Sequence, residues 1–240
     1  MGIVDKLAKS IATRAKAVHK TKVAEHTFRL SIRLEKPNAF SYRPQDFLRI
    51  FVGADSQGPL RDRVRSYSIW NFDAQTQIID LAVCTFSNGP GANWIKSVNI
   101  GDDVYFMKHP SNLAIQNDAA YAVMIGDITA LGHLYGLRRF FLNQDRVTGF
   151  IVGQNPAEFF SDIDGESPFT FIMAPSQPYQ TIIPAIEEAL PQPSHNTVIY
   201  VAGNGEMCQL LYKHLKNQLG WNGKQVRVKP FWMQGKKGLE

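Results

Sequence analysis

Between Ala15 and His109 apolar and polar residues alternate in short runs. Along Thr27–Glu35, Phe28, Leu30, Ile32 and Leu34 take every second position. That is the two-residue period of a strand with one buried face. Lys16–Ala24 precedes it closely enough to form the other arm of a hairpin. Phe47–Val52, Val64–Trp70, Ile78–Phe86 and Asp103–Lys108 follow, with turn signals at Lys36-Pro37-Asn38 and Asn99-Ile100-Gly101-Asp102. Six such strands predict an antiparallel barrel, preceded by a short amphipathic helix over Ile3–Ala12.

After Asn117 the rhythm changes. Ala119–Ile125, Val147–Val152, Phe169–Met173, Thr197–Val201 and Gln225–Lys229 read as strands. Helical segments alternate with them, at Thr129–Leu142, Thr181–Leu190 and Glu206–Leu219. Strand and helix in alternation predict a parallel sheet covered on both faces. The fold class is therefore a six-stranded antiparallel barrel over residues 1–115, then a parallel-sheet α/β domain over residues 116–240 with a basic C-terminal tail.

Composition narrows the function more than the fold. The chain has 240 residues, 44% of them hydrophobic and 20% charged, as in ordinary water-borne domains. No apolar run reaches the length of a membrane span, and no export signal is legible. Cys84 and Cys208 are the only cysteines. Two thiols make no disulfide framework, which points to a reducing, cytoplasmic setting. Net charge is +5, but it is uneven: both ends are basic and the middle is acidic. Basic ends attract an anionic partner. No nucleic-acid motif accompanies them, so nucleic acid is not expected.

Two segments carry candidate chemistry. In Arg65-Ser66-Tyr67-Ser68, strand alternation puts Arg65 and Tyr67 on one face and the two serines on the other. Gly89-Pro90-Gly91-Ala92 leads into a helix over Ala92–Ser97, whose first N–H groups attract phosphate. A cation, a phosphate nest and a flat ring together suit a flavin dinucleotide. In the second domain, Gly126-Asp127-Ile128-Thr129-Ala130 and Gly203-Asn204-Gly205 lie where strands give way to helices, the place where open parallel sheets bind nucleotides. The full dinucleotide fingerprint is absent, because Cys208 stands where its third glycine would fall. Gly153-Gln154-Asn155 offers neither an acid for a ribose nor an arginine for a 2′-phosphate, leaving NADH and NADPH both open. Trp94, Cys84 and the histidines His109, His133 and His195 read as packing, core, and capping or surface residues.

Taken in order, Arg65-Ser66-Tyr67-Ser68, Gly89-Pro90-Gly91-Ala92-Asn93-Trp94, Gly126-Asp127-Ile128-Thr129-Ala130-Leu131, Ala202-Gly203 and Phe231-Trp232-Met233-Gln234-Gly235 resemble the siderophore-interacting protein family, a flavin branch of the ferredoxin-reductase-like fold. The resemblance runs from about Lys16 to Gly235. It implies FAD as cofactor, NADH or NADPH or a reduced ferredoxin as donor, and a ferric siderophore as substrate. On this chain it implies that Arg65 meets the FAD phosphate and that Tyr67 stacks on the isoalloxazine. Ser68 would sit beside the reactive nitrogen, so Tyr67 and Ser68 are the catalytic candidates. Ser66, Thr85 and the Gly89-Pro90-Gly91-Ala92 turn complete the FAD contacts, with Phe231 and Trp232 near the flavin's other side or the substrate mouth. Gly126, Asp127, Thr129, Ala130, Gly203 and Asn204 would take NAD(P). Lys229, Lys236 and Lys237 would collect the anionic iron complex.

The chain departs from the family pattern at Thr85, where a histidine is usual, and at Trp70, where a second arginine is usual. Phe231 replaces a tyrosine, Asn204 an acid and Gly132 a proline. Such changes leave open a reductase with another acceptor, or a flavin-binding module without catalysis.

Overall fold

Residues 11–36, 40–53, 63–87, 89–174, 179–194 and 196–235 are described by a computed structural model. The chain divides into two units, Met1–Ser111 and Asn112–Glu240. Nearly all of the helix expected over Ile3–Ala12 lies outside the described residues.

The first unit is built on β1 (Thr13–Ala24), β2 (Thr27–Leu34), β3 (Phe47–Phe51), β4 (Val64–Asp73), β5 (Ile78–Cys84) and β6 (Asp103–His109). They close into a barrel in the order β1-β2-β5-β4-β3-β6, every neighbouring pair antiparallel. The alternation read from the sequence sets the inward face. Leu30 and Ile32, Leu48 and Ile50, Ile69, Ile79 and Leu81 are all fully buried. Helix α1 (Pro90–Ser97) packs Ile95 into the same core. Lys20 Nζ donates to Lys96 O (3.0 Å) and Val98 O (2.7 Å), which satisfies carbonyls at the C-terminal end of α1.

In the second unit β7 (Tyr121–Asp127), β8 (Val147–Gly153), β9 (Thr170–Met173), β10 (Thr197–Asn204) and β11 (Val226–Trp232) form a parallel sheet in the order β11-β10-β7-β8-β9. Helices α2 (Leu131–Arg138), α3 (Ile183–Ala189) and α4 (Gly205–Asn217) flank it. Val123, Ile125, Ile199 and Val201 pack against α3 and α4. Gly126, of opposite parity, lies against α2: a Cβ there would stand 2.8 Å from Leu134 Cδ1 and 3.1 Å from Ala130 Cβ. Both faces are therefore covered, as the alternation of strand and helix predicts.

Two of the boundaries that differ from expectation shape the site. The helix expected over Thr129–Leu142 shrinks to α2, because the residues after Asp127 are held in a turn by Thr129 N–H to Asp127 Oδ1 (2.8 Å) and Ala130 N–H to Asp127 O (3.0 Å). The last strand runs on through Pro230 to Trp232. An edge strand tolerates the proline because its missing N–H can face away from the ladder.

Candidate functional site

In the barrel unit, β4 brings Arg65 and Tyr67 under the first turn of α1. A methyl group added at Gly91 would run into the Tyr67 hydroxyl and stand 3.5 Å from Arg65 Cγ. Gly91 is therefore glycine because the phenol occupies that space. Tyr67 also stacks on Trp94 (ring centroids 6.0 Å, interplanar angle 30°), so Trp94 packs as expected. Arg65 Nη1 donates to Val64 O (2.6 Å). No side chain caps α1, its first turn holds no acid, and Pro90 opens it. A cation and a phenol beneath an uncapped, acid-free helix start form a cradle suited to a pyrophosphate and a flat ring.

Ser66 points to the other face of β4, where its Oγ is buried without a hydrogen-bond partner among the described residues. Ser68 shares that face and stands opposite Phe47 in register. Thr85 is tied elsewhere: its N–H and its hydroxyl both donate to His26 O, at 2.7 and 3.2 Å.

In the sheet unit the carboxyl ends of β7, β10 and β11 meet around Asp127. Its Oδ1 accepts from Thr129 N–H (2.8 Å) and Thr129 Oγ1 (2.5 Å); its Oδ2 accepts from Asn204 N–H (2.7 Å) and Trp232 Nε1 (3.2 Å). Burial pushes this carboxyl above its ordinary value, and the four donors pull the other way. Gly203 lies at φ +114°, and a Cβ there would fall 2.5 Å from Asp127 Oδ1. Asn204 Oδ1 accepts from the N–H groups of Glu206 (2.8 Å) and Met207 (3.0 Å), capping α4. The side chains of Asp127, Thr129 and Asn204, expected to face a nucleotide, thus engage one another and the backbone. The start of α2 has no side-chain cap and no acid in its first turn.

The sequence of residues 119–235 matches the family model described as Siderophore-interacting protein. Over those residues, just under half of the chain, the sequence is similar to that family. A search of the curated proteins gives no match. Among solved structures, the siderophore-interacting protein from Acinetobacter baumannii is similar at TM-score 0.77 and 15% identity, over 93% of this chain and 91% of that one. The siderophore-interacting protein SipS from Aeromonas hydrophila aligns at TM-score 0.75 and 16% identity, over 94% and 92%. Ferredoxin-NADP+ reductase from Plasmodium falciparum aligns at TM-score 0.74 and 16% identity, over 92% and 97%. The whole chain therefore has the ferredoxin-reductase-like fold expected from its motifs.

Within the matched segment, Trp232 is 41% exposed and fixed by its bond to Asp127. Phe231 packs edge-on against His133 (5.4 Å). Lys229 Nζ lies 5.7 Å from the centroid of the Phe231 ring. Lys236 and Lys237 lie outside the described residues, as does His195. His133 is not the surface or capping group expected. It is 3% exposed, both ring nitrogens lack hydrogen-bond partners among the described residues, and burial, helped by Lys229, holds its pKa well below the usual value. An acid also stands at the end of β8, which the local sequence did not suggest. After the turn opened by Asn155-Pro156, Glu158 folds back and its Oε2 accepts from Gln154 N–H (2.7 Å). Among the described residues no helix is long and apolar enough to cross a membrane.

Proposed function

We propose that this chain is an FAD-dependent reductase that takes electrons from NAD(P)H and delivers them to a ferric siderophore, releasing iron. The observation that carries the reading is the cradle of Arg65, Tyr67 and Gly91 at the start of α1. FAD, when bound, supplies a carrier that accepts two electrons as a hydride and passes them on singly. Arg65 would pair with its pyrophosphate, the N–H groups of Gly91 and Ala92 at the start of α1 would donate to the remaining charge, and Tyr67 would give the ring a flat face. The uncapped start of α2 beside Gly126 receives the donor's phosphates.

NADH is the preferred donor, because the Glu158 carboxylate at the end of β8 disfavours a 2′-phosphate. Lys229, with Lys236 and Lys237, draws in the anionic iron complex. One NADH reduces two ferric complexes and leaves one proton. Ferrous iron is held less tightly by hard oxygen ligands and escapes.

Anaerobic titration of the yellow holoprotein tests this. NADH should bleach the flavin, and a ferric hydroxamate or catecholate should restore its colour. Bleaching by NADH with recolouring only by another acceptor leaves a flavin reductase of different substrate. Protein that takes up no FAD overturns the reading.

A further inference from the structure

Strand β3 lies between β4 and β6. Its Leu48 and Ile50 fill the core, so Phe47 and Arg49 point out of the barrel. In register, Arg49 stands across from Ser66 on β4 and Met107 on β6, and Phe47 across from Ser68 and His109. Arg49, Ser66 and His109 thus share one outward face, directly across or diagonal to one another and within reach of long side chains.

All three carry unsatisfied polar atoms. Arg49 Nε, Ser66 Oγ and His109 Nε2 are buried and have no hydrogen-bond partner among the described residues. Among the described residues Arg49 makes no ion pair; its recorded neighbour is the Phe47 ring, 6.0 Å from the guanidinium. His109 stacks on the same ring (5.6 Å, 21°), and burial followed by the charge of Arg49 lowers its pKa. The acid on this face of β6, Asp103, is engaged by Arg14 (3.0 Å) and Lys16 (2.5 Å). A half-buried guanidinium without a counter-charge is costly, and so is a buried hydroxyl without a partner. Such groups persist where a ligand completes them.

We propose that Arg49, Ser66 and His109 form an oxyanion site for a phosphate group. The guanidinium fork offers two parallel donors, and the hydroxyl and imidazole offer two more. Four donors on one face suit the several oxygens of a phosphate better than the two of a carboxylate. The site is separate from the Arg65–Tyr67 cradle, because strand alternation sends Ser66 to the opposite face of β4. It stands whether or not flavin binds beside Gly91. Its phosphate is either free orthophosphate or the phosphate of a nucleotide cofactor.

Calorimetric titration of the full chain with inorganic phosphate, at constant ionic strength and against chloride, tests the proposal. Saturable binding is expected. R49Q should weaken it at least about tenfold, S66A by several-fold, and R49K should fall between R49Q and wild type. Thermal unfolding of each variant verifies its fold; should R49Q not fold, S66A and H109N decide. Riboflavin, FMN and FAD separate the sources. If R49Q weakens FMN but not riboflavin, the phosphate belongs to a nucleotide. If phosphate binds without competing with FMN, it is the free ion. The site is disproved if wild type shows no saturable phosphate binding below about 10 mM and R49Q leaves FMN affinity unchanged. It is equally disproved if folded R49Q binds phosphate as tightly as wild type.

Discussion

Two glycines, Gly91 in the barrel unit and Gly203 in the sheet unit, stand where a chain enters a helix and where a polar side chain from another strand takes the place of a Cβ. At Gly91 the intruder is the Tyr67 hydroxyl, with Arg65 beside it. At Gly203 it is the Asp127 carboxylate. The first junction presents a phenol, a cation and uncapped helix N–H groups, an arrangement that seeks an anion from outside. The second contains its own anion, which accepts from Asn204, Thr129 and Trp232, while Asn204 caps α4. Similar backbone architecture becomes a rivet or, on the proposed reading, a receptor according to the charge of the one side chain inserted.

The largest effect should come from the rivet. Asp127→Asn replaces one acceptor oxygen by a donor facing N–H groups, and should cost about 3 kcal/mol in urea unfolding. Gly203→Ala adds a methyl group to the same carboxylate at positive φ and should cost about 2 kcal/mol. Loss of stability in Gly91→Ala as large as in Gly203→Ala would erase the distinction between the two junctions.

Next comes the receptor. Arg65→Gln should lower FAD affinity by about one to two orders of magnitude, with an unfolding midpoint close to that of wild type. Gly91→Ala should displace Tyr67 and reduce flavin retention by about tenfold. Flavin content after gel filtration measures both.

His133 sharpens the contrast by pH. Its folded pKa lies well below 6.5, so on acidification the unfolded chain takes up a proton that the folded chain refuses. Stability should therefore fall as pH drops below 6.5, by about 1.4 kcal/mol per unit from this group. The charged neighbour that lowers the pKa is Lys229 on β11. His133→Leu should flatten the slope in urea titrations between pH 6.5 and 5. An unchanged slope assigns the acid sensitivity to other groups. The smallest effect belongs to Lys229→Glu, which should raise the apparent KM for a ferric siderophore several-fold and leave flavin content unchanged.

Much of this was legible in order along the chain. The period of Phe28, Leu30, Ile32 and Leu34 gave the barrel face, and Arg65, Tyr67 and Gly91 formed a recognisable set. What stayed hidden was pairing across long separations. Asp127 looks in sequence like any acid after a glycine, yet its partners Asn204 and Trp232 stand 77 and 105 residues away. Glu158 was hidden because only the fold-back after Asn155 returns it to the end of β8. His133 reads as one more polar helix residue until Phe231 is packed against it.

The sequence by itself determined which residues repeat with period two, where helices alternate with strands, and which short segments carry glycine beside cation and ring. Those properties depend on neighbours a few bonds away. Tertiary structure alone decided which of those polar groups are satisfied. A carboxylate becomes a rivet, and the Nε of Arg49 is left without a hydrogen-bond partner among the described residues, only when strands distant in sequence are laid side by side and water is removed between them.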